Sequence, residues 1–565
     1  MGGDFGGVTQ MIESGYFNTL GVNALWLTPF NQAADGTGMA ADNQHEVSAY
    51  HGYWPVEPRK VDPRLGTEEE LQSLVQSAHE HGIRVMMDLV VNHVHEDHPY
   101  VDEHPDWFNS GCICGTDQCD WTERRLDCLF RDYMPDVNWK HRDASEQMIE
   151  DALWWAETFD LDGIRVDAVK HVDDHAMTNL ATRINERFEA TGTDFYLKGE
   201  TAMGWSGHSL EDNAEQYETI NRYISDDALD GQADFVLYHA VVDNVFTTGN
   251  MDYQHLDYWT NRSQDQYVDG AIMVPYLGSH DSPRYLSRIQ NDGTQYNQWE
   301  EQARPTTPSS TSYQSAKQGI AWLLTTPGAP MLYMGDEFGQ HGGADPDNRR
   351  MLDFNLNQGQ DELKNFTSEI AKIRLENEAL RRGVYSTYHA ESNMVAYEMT
   401  TNEQSLLVVL NRGGANQLQT TYDEIIYGAS SLSETTLSIP ADSVTILAHS
   451  GNFSAENQNN TGNETTNGGD NSTNSTIDDS NNTTEVDNNQ SEEMKTCEGC
   501  CGETSEVPVS EPCPVVACAP CDEVEDSNDS ASSSTATIFR NLLLIVVIVV
   551  LVVFIQMNRR SEDNH

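Results

Sequence analysis

Residues 83–93 read Ile-Arg-Val-Met-Met-Asp-Leu-Val-Val-Asn-His, an apolar run that turns polar at its end. Ile83–Val91 is the composition of a strand buried on both faces, and Asn92-His93 falls where such a strand becomes a loop. Just upstream, Thr67–His81 reads as an amphipathic helix led by Thr-Glu-Glu-Glu. The threonine suits the capping position, and the acids suit the positive end of the helix. The same alternation recurs along the chain, with further candidate strands at Val22–Leu27, Gly163–Val166, Phe195–Lys198, Phe235–Tyr238, Ala271–Tyr276 and Pro330–Met334. Strands alternating with helices predict an α/β fold with a parallel sheet. Seven such strands predict a (β/α)8 TIM barrel over residues 1–380 that lacks its first strand. The chain opens in what reads as the first loop or helix, so a strand and an export signal are expected upstream of this sequence.

The connection after the third barrel strand, residues 94–142, is far longer than a plain loop and predicts a small inserted domain. It holds Cys112, Cys114, Cys119 and Cys128. Residues 381–450 change character: Asn393–Met399, Ser405–Leu410 and Ser443–Ala448 read as strands of a C-terminal antiparallel β-domain. Residues 451–537 are rich in Asn, Ser, Thr, Gly and acids and predict a disordered stalk. Ile538 to Met557 is apolar apart from Arg540, Asn541 and Gln556. A helix there would be about 30 Å long, enough to cross a bilayer. Arg559 and Arg560 follow, which predicts a single-pass anchor at the cell membrane, residues 558–565 in the cytoplasm and the rest outside.

The 565 residues include 91 acidic and 32 basic side chains, a formal charge of −59. Such a surface repels nucleic acid and other polyanions, but a neutral polymer meets no such barrier. The ten cysteines form two groups of even number, the second being Cys497, Cys500, Cys501, Cys513, Cys518 and Cys521. Disulfides fit both groups. Zinc is the rival for the second, through Cys497-x-x-Cys500, but no histidine lies near it.

In TIM barrels the chemistry sits where strands end. Here the third strand ends Asp88-Leu-Val-Val-Asn92-His93 and the fourth Gly163-Ile-Arg165-Val-Asp167-Ala-Val-Lys170-His171. The fifth gives Lys198-Gly-Glu200-Thr and the seventh Gly278-Ser-His280-Asp281-Ser. Each alone has an ordinary explanation, as a cap, a turn or an ion pair. Together they set acids on neighbouring strands about 4.8 Å apart. Retaining cleavage of a glycosidic bond needs two carboxyl groups about 5–5.5 Å apart.

These four segments resemble the signature regions of glycoside hydrolase family 13, the α-amylase family, in order and spacing, and the resemblance runs from about Asp4 to Ser450. It implies Asp167 as nucleophile, Glu200 as general acid and then base, and Asp281 as the carboxylate that binds sugar hydroxyls and helps distort the ring. Arg165 would keep the nucleophile ionised, and His93 and His280 would donate to the same sugar. In Ala49-Tyr50-His51-Gly52-Tyr53-Trp54, Tyr53 resembles the ring that stacks on that sugar, with Trp54 beside it. Lys170-His171 is similar to the α-amylase pair that contacts the sugar beyond the cut. Asp345-Pro-Asp-Asn-Arg349 resembles the loop whose Asp and Arg bind a sugar on the non-reducing side. Met134-Pro-Asp136-Val-Asn138 resembles the family's fifth region in its neopullulanase form.

The resemblance also implies a Ca2+ ion held by Asn92, Asp136 and the carbonyl of His171, with a further ligand from the inserted domain left unassigned. Oxygen ligands from barrel and insert would suit a hard cation. The activity expected is hydrolysis of α-1,4-glucosidic bonds in starch, glycogen or malto-oligosaccharides. A neopullulanase- or cyclomaltodextrinase-like hydrolase or a transglycosidase is the alternative. A non-catalytic amylase-like membrane subunit is the remote one, disfavoured because Asp167, Glu200 and Asp281 are all present.

Overall fold

The computed structural model describes residues 3–40, 43–116, 118–290, 298–300, 307–450, 494–498 and 504–508. The helix expected before the opening stretch spans Glu68–Glu80 and buries Leu71, Leu74, Val75 and Ala78 against the sheet. Its start is a reciprocal cap. The Thr67 hydroxyl accepts from the Glu70 backbone N–H at 3.2 Å, and the Glu70 carboxylate accepts from the Thr67 N–H at 2.8 Å. Thr67→Ala is expected to destabilise the fold by about 1 kcal/mol, read as a lower midpoint in denaturant with an unchanged slope.

The barrel follows in chain order. Ala24–Leu27, Arg84–Leu89, Gly163–Val166, Tyr196–Gly199 and Gly231–Gln232 pair in parallel as one sheet. Parallel bridges from Ala233 to Val274 and from Tyr276 to Met331 carry the order to the seventh and eighth positions. Six of the seven expected strands are therefore met by a strand or a bridge in the expected order. Among the described residues, no strand pairs Ala24–Leu27 on its free side. Outward-facing apolar residues such as Val85, Met87, Ile164, Val166 and Leu197 pack under helices Glu68–Glu80, Arg142–Phe159 and Asp174–Arg187. The alternate residues Asp88, Arg165 and Lys198 lie side by side in register and point the other way, into the barrel.

One strand is corrected. Phe235–Tyr238 is not the sixth strand but the start of a helical segment reaching Thr247, while the strand is the two-residue Gly231–Gln232 before it. Asp234 breaks the strand, because its side chain accepts from the Leu237 N–H at 3.0 Å and caps the helix. The four apolar residues that follow are too few for periodicity to tell a helix from a strand. The helical period shows only over the longer stretch, where Phe235, His239, Asp243 and Thr247 form one partly exposed face.

The insert after the third strand is a small, loop-rich lobe. Phe108–Asn109 pairs antiparallel with Asp136–Val137, and disulfides join Cys112 to Cys119 and Cys114 to Cys128. The C-terminal part is antiparallel, as expected. Val384–Glu391, Met394–Thr400, Ser405–Asn411, Ser443–Ala448 and Glu424–Tyr427 form one sheet in that order. Asn416–Gln419, Thr436–Ile439 and Ser431–Ser433 form a second. Gln318, on the barrel helix Ser310–Thr325, reaches across and donates to the Asn411 and Ser443 carbonyls, at 3.1 Å each.

Within the expected stalk, 494–498 and 504–508 are described, and they pair as antiparallel strands; the rest of it lies outside the described residues. The second cysteine group lies outside the described residues, except for Cys497 in the first of these strands. The expected membrane helix at 538–557 and the cytoplasmic tail also lie outside them. Among the described residues no helix is long and apolar enough to cross a membrane. The expected localisation at a cell membrane, with a bilayer as partner through a C-terminal anchor, is corrected on that finding and is withdrawn.

Candidate active site

Strand pairing brings the acids together. Arg165 and Asp167 share a face of Gly163–Val166 and its end, and Lys198 and Glu200 share a face on the next strand, with Arg165 opposite Lys198. The Arg165 side chain is 2% exposed and lies at the centre of three carboxylates. Its Nη1 donates to Asp88 Oδ1 at 2.8 Å and to Asp167 Oδ1 at 2.6 Å, and its Nη2 pairs with Glu200 Oε1 at 2.9 Å. The other Glu200 oxygen accepts from the Ala168 N–H at 3.2 Å. Burial pushes the Asp167 carboxyl well up, with Glu200 and Asp88 adding to it, and Arg165 opposes. Asp88 is raised for the same first reason. Asp88 and Asp167 thus retain a proton more readily beside this guanidinium than they would in water.

A second cation lies below them. Lys198 is 4% exposed, and its Nζ lies 4.0 Å from the centre of the Trp26 ring. Burial first, and then Arg165, bring this ammonium down to about 7. The Trp26 N–H donates to Asp88 Oδ2 at 3.2 Å, so one indole ties the lysine to the arginine cluster.

Tyr53 closes the opposite wall. Its hydroxyl donates to Asp88 Oδ2 at 2.8 Å and lies 3.0 Å from His280 Nε2, and its ring stacks on His280. His280 Nε2 is also 3.2 Å from Asp281 Oδ2. Asp281 has 59% of its side chain open inside the cleft, more than Asp167 at 12% or Glu200 at 18%. Desolvation and then the Glu200 charge push its carboxyl up to about 6. His93 is buried, which brings it down to about 4, and its Nε2 lies 2.9 Å from the Tyr53 carbonyl, where a neutral ring donates. Trp54, expected at the sugar, is 5% exposed and packed with Ala33, Ala34, Ala49 and Met134. It backs the wall and does not line it.

Beside Asp281 stands the loop 345–349. Asp345 pairs with Arg349 and accepts from the Tyr50 hydroxyl at 2.6 Å. Beyond the nucleophile, Lys170 is half-buried, and its carbonyl accepts from Arg125 Nη1 at 3.0 Å. His171 Nδ1 lies 3.1 Å from the Arg125 carbonyl, and its ring meets Trp121 and Phe130 edge-on. The inserted lobe therefore touches the chain four residues after Asp167.

The residues expected to hold a cation gather where lobe and barrel meet. Asp136 is 2% exposed, pairs in a bridge with His93 and accepts from Asn109 Nδ2 at 2.8 Å. Burial pushes its carboxyl up to about 8, with the nearby Asn92 amide among the groups that oppose it. Both polar atoms of the Asn92 side chain are buried without a partner of hydrogen-bond geometry. A desolvated carboxyl facing an orphaned amide oxygen is a cradle that a hard cation fits, since one ion would answer both. Among the described residues no three His, Cys, Asp or Glu side chains cluster as a metal group.

A family model described as Alpha amylase, catalytic domain, matches residues 1–382, two thirds of the sequence. The chain belongs to the α-amylase family. A β/α-amylase of Paenibacillus polymyxa is 26% identical over 467 residues, covering 79% of this chain and 34% of that protein. A cyclomaltodextrinase of a Bacillus species is 26% identical over 425 residues, covering 73% of this chain and 66% of that one. The chain thus spans from about a third to two thirds of the curated relatives it matches. The crystal structure of an α-amylase from Geobacillus thermoleovorans complexed with acarbose has the same fold, with a TM-score of 0.63 and 23% identity over 79% of this chain and 92% of that one.

Several groups in this α-amylase family site escaped sequence reasoning. Asp88 and Lys198 stand inside the quoted segments, and alternation alone puts them on the face of Asp167 and Glu200. Trp26 and Tyr50 gave no signal, since an aromatic near a strand reads as core. Asn109 had no spacing to mark it, because its approach to Asp136 depends on how the disulfide-bonded lobe folds back.

Proposed function

We propose that this chain is a retaining α-glucan hydrolase that cuts α-1,4-glucosidic bonds through a covalent glycosyl-enzyme on Asp167. One observation carries the reading: Asp167 and Glu200 hold opposite nitrogens of the same Arg165 guanidinium. Two carboxyl groups gripping one small planar cation cannot stand far apart. That favours the spacing of about 5–5.5 Å used with retention over the about 6.5–9.5 Å used with inversion. Glu200 gives its proton to the leaving oxygen while Asp167 attacks the anomeric carbon. Glu200 then takes a proton from the water that frees the sugar. Asp281, at the open side of the cleft, grips sugar hydroxyls, with His280 and the Tyr53 ring beside it. Asp345 and Arg349 take the sugar on the non-reducing side, and Lys170 and His171 the one beyond the cut. Following the anomer first formed from maltotetraose by NMR tests the reading. The α-anomer is expected, and the β-anomer would sink it.

A cyclomaltodextrinase-like or transglycosylating enzyme is the second reading. The Met134-Pro-Asp136 segment and the similarity to a named cyclomaltodextrinase favour it. Digesting cyclodextrin, pullulan and starch side by side separates the readings by relative rate. Chains longer than the substrate, formed from maltotriose, mark transfer.

Asn92, Asp136 and the His171 carbonyl, with Asn109 as a candidate from the lobe, would hold Ca2+. When bound, the ion supplies charge that keeps Asp136 ionised and clamps lobe to barrel. Saturation at a hundred times Kd stabilises by about 2.7 kcal/mol. A chelator is therefore expected to lower Tm by about 3 °C in a unit of this size, with calcium restoring it. Asp136→Asn should show no such response.

A further inference from the structure

The loop that carries Asp281 is held from outside by a residue with no place in the chemistry so far. Asn348 lies between Asp345 and Arg349 in sequence and is 0% exposed. Its Nδ2 donates to the carbonyl of His280 at 2.6 Å and of Ser282 at 2.9 Å, and lies 3.5 Å from that of Ser279. The amide's two hydrogens thus straddle Asp281 in the chain. Asp281 itself has little to fix it among the described residues: its carboxylate meets His280 Nε2, and its N–H donates to the Ser279 hydroxyl at 3.1 Å. Where this carboxylate points is therefore set by the backbone at 279–282, and Asn348 holds that backbone.

The other end of the Asn348 turn is equally tied. Its carbonyl accepts from the Tyr333 hydroxyl at 3.3 Å, and Asp347 accepts from the Gly343 N–H at 2.6 Å. Gly342 approaches so closely that an added Cβ would sit 3.0 Å from Asn348 Cα, and its carbonyl accepts from the Arg284 N–H at 3.1 Å. These contacts tie the segment from Gly342 to Arg349 together. It bears Asp345 and Arg349 on one side and the Asn348 amide on the other.

We propose that Asn348 is a positioning residue that couples the clamp formed by Tyr50, Asp345 and Arg349 to Asp281. A sugar in the clamp then presses, through Asn348, on the loop that orients the carboxylate. The proposal rests on the functional reading above, with Asp281 at the reacting sugar. Its consequence is kinetic: filling the clamp raises kcat and does not merely lower KM, since the binding is spent on aligning Asp281. An amide that lets this loop drift by about an ångström is expected to cost on the order of 10- to 100-fold.

The test is a series from maltose to maltohexaose with wild type, Asn348→Ala, Asn348→Ser, Asp281→Asn and the double variant Asn348→Ala/Asp281→Asn. In wild type, kcat should climb with chain length. In Asn348→Ala it should fall about 10- to 100-fold on the longer substrates and flatten across the series, with KM changed less than about threefold. The double variant should be no worse than Asp281→Asn, because the lost tie then has nothing to position. An equal loss on every substrate, or losses that multiply in the double variant, would overturn the proposal. So would an Asn348→Ala enzyme with unchanged kcat, or loss of folding in both single Asn348 variants. A wild type inert on the whole series would overturn the functional reading itself. An active wild type with indifferent Asn348 variants overturns only the coupling.

Discussion

Asp167→Asn is expected to lower kcat for reducing-end release from starch by about 10^4-fold or more, with KM little changed. The amide is nearly the size of the carboxylate but has no charge with which to attack the anomeric carbon. It also removes one of three acids from Arg165, leaving Asp88 at 2.8 Å and Glu200 at 2.9 Å to hold the guanidinium. The cluster is therefore expected to stay folded, with far-UV CD and Tm close to wild type. A variant that keeps more than about a hundredth of the activity would remove Asp167 from the chemistry.

Glu200→Gln should cost about 10^3-fold on a natural glucan, where the leaving oxygen needs a proton. The loss should depend on the leaving group. With an α-glucosyl fluoride the first step needs no acid, so the glycosyl-enzyme forms and then waits for a base. Azide needs none: its nitrogen attacks the anomeric carbon, the Asp167 carboxylate leaves, and an α-glucosyl azide is released. Rescue by azide in Glu200→Gln, with no azide product from Asp167→Asn, separates the two roles. Equal loss on both donors without rescue would show that Glu200 acts through the fold.

What the sequence disclosed follows from the range of the forces involved. Arg165 and Asp167 stand two apart on a strand, and so do Lys198 and Glu200, so alternation puts each pair on one face before any coordinates exist. Thr67 and Glu70 announce a helix start because their bonds are three residues apart. Phe235–Tyr238 has the apolar run of a strand and is too short to show a helical period, and the capping by Asp234 turns it into a helix. In the C-terminal β-domain, short polar strands such as Asn416–Gln419 and Ser431–Ser433 escaped notice beside the longer apolar ones. The contacts that shape the site run across the chain: Tyr53 to Asp88, Tyr50 to Asp345, Asn109 to Asp136 and Asn348 to His280. Each joins segments far apart in the sequence whose meeting depends on the order of the strands, and no local pattern records it. Trp54 shows the converse, an aromatic next to a sugar-binding tyrosine that tertiary packing draws into the core.

The measurement that bears most directly on the central claim is to trap the intermediate. Glu200→Gln incubated with a 5-fluoro-α-glucosyl fluoride, digested and sequenced by mass spectrometry, is expected to carry one glucosyl unit on the peptide holding Asp167. A label on another carboxylate, or none from a donor that the enzyme consumes, would contradict a covalent mechanism centred on that residue.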